Sequence, residues 1–176
     1  MNDKFKKTET NYSFIDGQNL NLGVKELGWI LDWRRFRVYL KDKYKVDRAY
    51  IFLGYLSENQ DLYNSLQSYG YILVFKPVMK NGEGEVKGNV DAELVLQSMI
   101  DLEDYDKAVI VSSDGDFHCL VKYLYKKNKL KQVISPCKKY CSVLLQKSAK
   151  EKIVYLDNLK KKLSYKKKKH RSRTNP

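Results

Sequence analysis

The sequence predicts a doubly wound α/β fold with a mainly parallel sheet of five or six strands, and three observations carry that expectation. Apolar runs of strand length alternate with helix-period segments, giving the order βαβαβ by residue 75. The run Tyr71–Phe75, YILVF, is apolar on both faces, as a central parallel strand is. The run VIVSSDGDF, from Val109 to Phe117, passes from a buried strand through two serines and an acidic turn into an amphipathic helix. Ligands of open α/β sheets bind beyond the carboxyl ends of strands at such junctions.

The elements follow in order. Residues 1–10 read as a disordered lead-in, 11–157 as one domain and 158–176 as a basic, disordered tail; a chain of 176 residues suits that division. Tyr12–Ile15 is a short strand ending in Asp16-Gly17-Gln18-Asn19, where Gly17 permits a sharp turn. Asp32 caps a helix whose Trp33, Phe36, Leu40 and Tyr44 recur at helical spacing. Residues 46–53 form a strand, and Ser57 with Gln60 makes a capping-box pattern for a helix carrying Leu62, Leu66 and Tyr69, closed by Gly70.

After the strand at 71–75, the glycine- and charge-rich loop Met79–Gly88 is placed to lie over the mouth of a site, or simply to connect. A helix then starts near Asn89, with Ala92, Val95, Leu96, Met99 and Ile100 as its sheet-facing stripe and Asp91 in its first turn. Asp101–Asp106 reads as an exposed acidic bend. Phe117, Leu120, Val121 and Leu124 line the helix after the strand at Val109–Val111, and His118 reads as structural or solvent-facing. Val133-Ile134 is a fifth strand, a helix covers about 141–148, and Ile153–Leu156 adds an edge strand.

The net charge is +13, of which the last seventeen residues supply +9 without a single acid, leaving +4 for the remainder. A segment such as KKKLSYKKKKHRSR has too little apolar surface to fold alone and attracts polyphosphate by counterion release. Nucleic acid, single-stranded RNA or DNA, bound without sequence specificity, is the partner this suggests; a merely solvated lysine-rich end or attraction to a membrane surface are the alternatives. Lys87, Lys166, Lys167, Lys168, Lys169 and Arg171 are the candidate contacts. No apolar run reaches the length of a membrane span and no signal-peptide core follows the polar start, so a cytoplasmic protein without membrane partners is expected. Cys119, Cys137 and Cys141 are an odd number without disulfide-framework spacing, which agrees with a reducing compartment. With His118 they lack usual zinc spacing.

Four acids mark one end of the sheet: Asp16 after the first strand, Asp91 on the helix after the third, and Asp114 with Asp116 after the fourth. Each has a structural reading as a helix cap or turn residue. Gathered carboxylates, however, repel by about 4 kcal/mol per pair at 4 Å with an effective dielectric of 20, so a cation answers their presence. An all-oxygen set points to magnesium or manganese rather than zinc. Such an ion can activate water for attack on a phosphodiester.

FIDGQNL, KGNVDAELVLQSM and VIVSSDGDF, in that order and spacing, resemble the three signature segments of the NYN domain, in its LabA-like branch of the PIN-like ribonuclease superfamily. The resemblance runs from about Tyr12 to Leu156. It implies a PIN-like three-layer α/β/α sandwich and a metal-dependent ribonuclease site. By matching position, Asp16, Asp91, Asp114 and Asp116 would hold Mg2+ or Mn2+, Asn19 would orient the site, and Ser112 or Ser113 would act as ligand or phosphate contact. Where the family's SGDGDF has glycine, this chain has Ser113. A homodimer is a further family expectation. The alternative on the same fold is a non-catalytic RNA-binding or regulatory module. A receiver-like domain wants paired acids after the first strand, and a haloacid-type phosphatase wants an acid where Gln18 stands.

Overall fold

The structure, a computed structural model, describes residues 9–76 and 90–166 in full and the backbone of 79–80 and 86–87. The chain runs β1 (Asn11–Asp16), α1 (Gly17–Glu26), α2 (Trp33–Tyr44), β2 (Val46–Gly54), α3 (Gln60–Ser68), β3 (Ile72–Lys76), β4 (Met79–Lys80) and β5 (Val86–Lys87). It continues through α4 (Asp91–Ile100), β6 (Lys107–Val111), α5 (His118–Lys126), β7 (Leu130–Ser135), α6 (Val143–Ala149), β8 (Ile153–Tyr155) and α7 (Lys160–Leu163). Six strands form one sheet in the order β3-β2-β1-β6-β7-β8, and every neighbouring pair is parallel. The expected α/β fold is therefore present, at the six-strand limit of its predicted width. β4 and β5 pair antiparallel in a separate two-stranded ribbon; most of the loop expected over the site mouth lies outside the described residues.

β1 explains the layering. All six of its residues are buried, because β2 and β6 flank it on either side and helices cover both faces. Its side chains alternate: Ile15 joins Leu20, Phe36, Leu40, Ile51 and Val109 in one core, while Phe14 joins Phe52, Leu94, Ile110, Phe117 and Leu120 in the other. Burying each such side chain stabilises the fold by about 1.5–3 kcal/mol. Two full cores on one sheet make three layers.

Asp32 caps α2 as expected, its carboxylate accepting from the Arg35 backbone N–H at 3.1 Å. Gly17 does something other than turn the chain. A Cβ there would stand 2.6 Å from Leu53 and 2.8 Å from Ile51, so glycine lets α1 begin directly against β2.

Several expectations are corrected. β3 is an edge strand, with Ile72 and Phe75 exposed, so its apolar character does not mark the sheet centre. α3 buries Tyr63 and Leu66 rather than a Leu62–Tyr69 face, and the Ser57–Gln60 capping box is replaced by a 3-10 turn over Ser57–Asn59 without a side-chain cap. α4 is rotated from its predicted stripe: Leu94 and Ser98 are buried, whereas Leu96 and Ile100 are 61% and 66% exposed. Tyr105, fully buried after the bend, donates to the Ser98 carbonyl at 2.9 Å and seats this face. The bend is an exposed acidic turn only at Glu103 and Asp104; Asp101 is buried and accepts from Gln97 at 2.9 Å. The basic segment from 158, expected to lie outside the fold, packs its first residues onto it. Leu163 is wholly buried, and Ser164 bridges to Leu31. A single leucine among lysines is enough because it fills a place in a core built by α1 and α2.

Candidate metal centre

Strand order changes direction between β1 and β6: from β1 the chain builds outward to β2 and β3, and from β6 outward to β7 and β8. The carboxyl ends of these two strands diverge into α1 and into the turn before α5, the position at which ligands bind in open α/β sheets. Asp16 is the last residue of β1, and Ser112 follows the last residue of β6.

Hydrogen bonds tie the two strand ends together. The Asn19 backbone N–H donates to Asp16 Oδ1 at 3.0 Å, capping α1. The Asn19 side chain reaches across to β6 instead of touching Asp16: its Oδ1 accepts from both the backbone N–H and the hydroxyl of Ser113, each at 2.9 Å. Ser112 is buried, and its hydroxyl donates toward Asp16 Oδ2 at 3.5 Å while accepting from the Asp114 backbone N–H at 3.1 Å. Asp114 Oδ1 in turn accepts from the Asp116 N–H at 3.0 Å, folding the DGD turn on itself. Phe117, wholly buried, pins the turn to the core.

The α4 rotation completes the site. With Leu94 and Ser98 inward, Asp91 falls on the same helix face one turn earlier, half-buried and pointing its carboxylate toward the DGD turn. One carboxylate oxygen each of Asp91, Asp114 and Asp116 lies within 4.8 Å of the others. The donor set is oxygen alone, which fits a hard divalent cation.

Asp16 is not one of the three. It is 6% exposed, and burial raises its carboxyl to about 6, with the charges of Asp91 and Asp114 pushing the same way and the Asn19 and Ser112 hydrogen bonds opposing. The four acids thus divide into a partly exposed trio and one deeper carboxylate coupled to it. Ser113 spends its hydroxyl on Asn19 within the protein. Of the basic candidates, Lys166 is exposed at the end of the described chain, Lys87 is described by its backbone in β5, and Lys167, Lys168, Lys169 and Arg171 lie outside the described residues.

Two supports were not legible in the sequence. Ser142, just before α6, donates its backbone N–H to the Ser113 carbonyl at 3.0 Å, and its Oγ would meet a Cβ on Gly115 at 2.5 Å. Glu93 pairs with Lys76 of β3 at 3.4 Å, holding the first turn of α4 to the sheet edge. Neither carries a local pattern, since each depends on a partner far along the chain.

A cluster of oxygen donors at the switch point of an all-parallel sheet defines an α/β protein with a carboxylate site suited to a hard cation. The chain belongs to the NYN domain family, whose model matches residues 12–157. It is 31% identical over 134 residues to the low amplitude and bright protein LabA of Synechococcus elongatus, covering 69% of this chain and 71% of that one. Among solved structures it resembles a protein of unknown function from Vibrio parahaemolyticus, with a TM-score of 0.72 and 23% identity, over 90% of this chain and 98% of the other. That likeness extends the shared fold over nearly the whole described chain.

Proposed function

We propose that this protein is a metal-dependent ribonuclease that hydrolyses RNA phosphodiester bonds at the carboxyl edge of its sheet. The observation that carries the reading is the convergence of Asp91, Asp114 and Asp116 within 4.8 Å, beside the buried Asp16, in a chain of the NYN family. The trio would hold Mg2+ or Mn2+, with Asp16 as the deeper fourth carboxylate. A bound ion of this kind supplies positive charge that makes water nucleophilic and stabilises a leaving oxygen.

The chain's own residues do the rest. Asn19 fixes the distance between the ends of β1 and β6 by holding Ser113 with its side chain and Asp16 with its backbone. Ser112 keeps Asp16 and the DGD turn in one hydrogen-bonded unit, so the carboxylates are pre-positioned rather than gathered at binding. Asp16, protonated more readily than an ordinary carboxyl, can accept a proton from a group entering the site near neutral pH. The basic terminus, with Lys166 at its root and Lys167, Lys168, Lys169 and Arg171 beyond, would hold the strand through its phosphates, together with Lys87. Free Cys119, Cys137 and Cys141 support a cytoplasmic setting, and no helix among the described residues is long and apolar enough to cross a membrane.

The test is cleavage of a labelled single-stranded RNA with manganese, magnesium or EDTA, beside Asp114→Asn. That variant keeps an oxygen for the Asp116 N–H and hence the turn. Metal-dependent products that disappear in the variant are expected. RNA bound but uncut under every condition would replace the enzyme with a binding or regulatory module on the same fold.

A further inference from the structure

We propose that the cleft between α2, α3 and the segment after α7 is a second nucleic-acid site, which takes single-stranded RNA by stacking bases on Tyr69 and Tyr165 and meeting phosphates with Arg34, Lys162 and Lys166. The proposal rests on RNA being this protein's ligand but not on its being cut.

The cleft is open, with a volume of about 1110 Å³. Of the three tyrosines that line it, Tyr39 is buried, while Tyr69 is 37% and Tyr165 59% exposed. Both exposed rings stand on fixed backbone. The Tyr165 N–H donates to the Ile30 carbonyl at 2.9 Å, one residue beyond the Leu31–Ser164 bridge, and the Asp32 N–H donates to the Leu163 carbonyl at 2.8 Å. Tyr69 closes α3, its N–H bonded to the carbonyls of Ser65 and Leu66 at 3.1 Å. A flat ring held on ordered chain and left open to solvent is a stacking platform, and every base has a face to offer it.

Charge selects the occupant. Asp32 is taken by the α2 cap and by Arg35, 3.4 Å away, which leaves Asp42 as the acid facing Arg34, Lys162 and Lys166. Lys162 carries its ammonium 5.1 Å from the centre of the Tyr39 ring, at the cleft wall. The sequence beyond Lys166 adds Lys167, Lys168, Lys169, Arg171 and Arg173, which share the sign of the cleft, so like charge disfavours a cationic occupant. A polyanion bearing aromatic bases matches both the sign and the rings. Tyr69 precedes the amino end of β3, whereas the acids stand at the carboxyl ends of β1 and β6, so the cleft serves a part of the strand distant from the cutting site.

The test is fluorescence anisotropy of labelled oligouridylate, 5 and 20 nucleotides long, with the full chain in EDTA, where no metal-dependent cleavage can occur. Tyr69→Ala with Tyr165→Ala should weaken binding of the longer strand about tenfold or more, leave its salt dependence unchanged, and be rescued by the Tyr→Phe pair. Arg34→Ala, Lys162→Ala and Lys166→Ala together should lower the salt slope by about 2, near 0.7 for each phosphate no longer neutralised. Both effects should persist in a chain ending at Lys166, and unchanged thermal melting would establish that the variants fold. Wild-type affinity in both variant sets, binding that depends only on residues after Lys166, or equal displacement by polyglutamate of matched charge would overturn the proposal. Asp114→Asn should bind like the wild type, so loss of cleavage and loss of this site are read separately.

Discussion

Asp16 shows how a single residue's environment can have a measurable consequence for the whole fold. Its folded carboxyl holds a proton up to about pH 6, above its ordinary range, so ionising it at neutral pH costs the metal-free fold free energy. Stability should therefore rise as pH falls from above 6 toward 4, and Asp16→Asn should stabilise the metal-free protein at pH 7.5 by up to about 3 kcal/mol. Urea unfolding at pH 7.5 and pH 5 in EDTA reads this directly: the variant's advantage should shrink at the lower pH. A wild-type chain that loses stability over that interval would show that the carboxylate is already compensated. Gly115→Ala is the complementary case. Its Cβ would press on Ser142, 2.5 Å from Oγ and 3.1 Å from Cβ, shifting the DGD turn against α6. Cleavage should fall severalfold or more with little change in melting temperature, and a matching Ser142→Gly should restore it. The sequence exposed the acids because each stands beside a glycine or a helix start; it hid the Asn19–Ser113 link, which joins residues 94 positions apart.

At the scale of the element, the strands and helix positions were largely written in local patterns, while the faces were not. α4 has an apolar stripe, Leu96 with Ile100, that periodicity favoured over the face actually buried, Leu94 with the small polar Ser98. Packing selected that face because Ser98 is small enough to let the Tyr105 hydroxyl reach its carbonyl. β3 misled in the same way, its apolar run being an exposed edge rather than a sheet centre. The consequence reaches chemistry, since the same rotation brings Asp91 to the trio. Leu94→Ala should cost about 2–4 kcal/mol and weaken divalent-ion binding, whereas Leu96→Ala, on the exposed stripe, should change neither by much. Manganese titration followed by calorimetry distinguishes the two; equal effects would mean that α4 is not held by this face.

For the whole molecule, the boundary between body and basic terminus matters most. A chain ending at 157, the limit suggested by composition, loses buried Leu163 and the Leu31–Ser164 bridge. It should be less stable than a chain ending at 166 by about 2–5 kcal/mol in urea. The chain ending at 166 should retain full stability while its RNA affinity depends less steeply on salt, because the cations proposed to meet phosphates beyond that point are gone. If the two truncations unfold alike, the terminal helix lies against the body without stabilising it.

The Asn19–Ser113 and Ser112–Asp16 links also set when the site can exist during synthesis. Asp16 leaves the ribosome about a hundred residues before the DGD turn, and Asp91 arrives between them. A nascent chain stopped between Asp91 and Lys107 holds two of the acids and neither crosslink, on a sheet still missing β6 beside β1. The four acids therefore stand together only once the chain has reached Asp116, nearly two thirds of the way along these 176 residues.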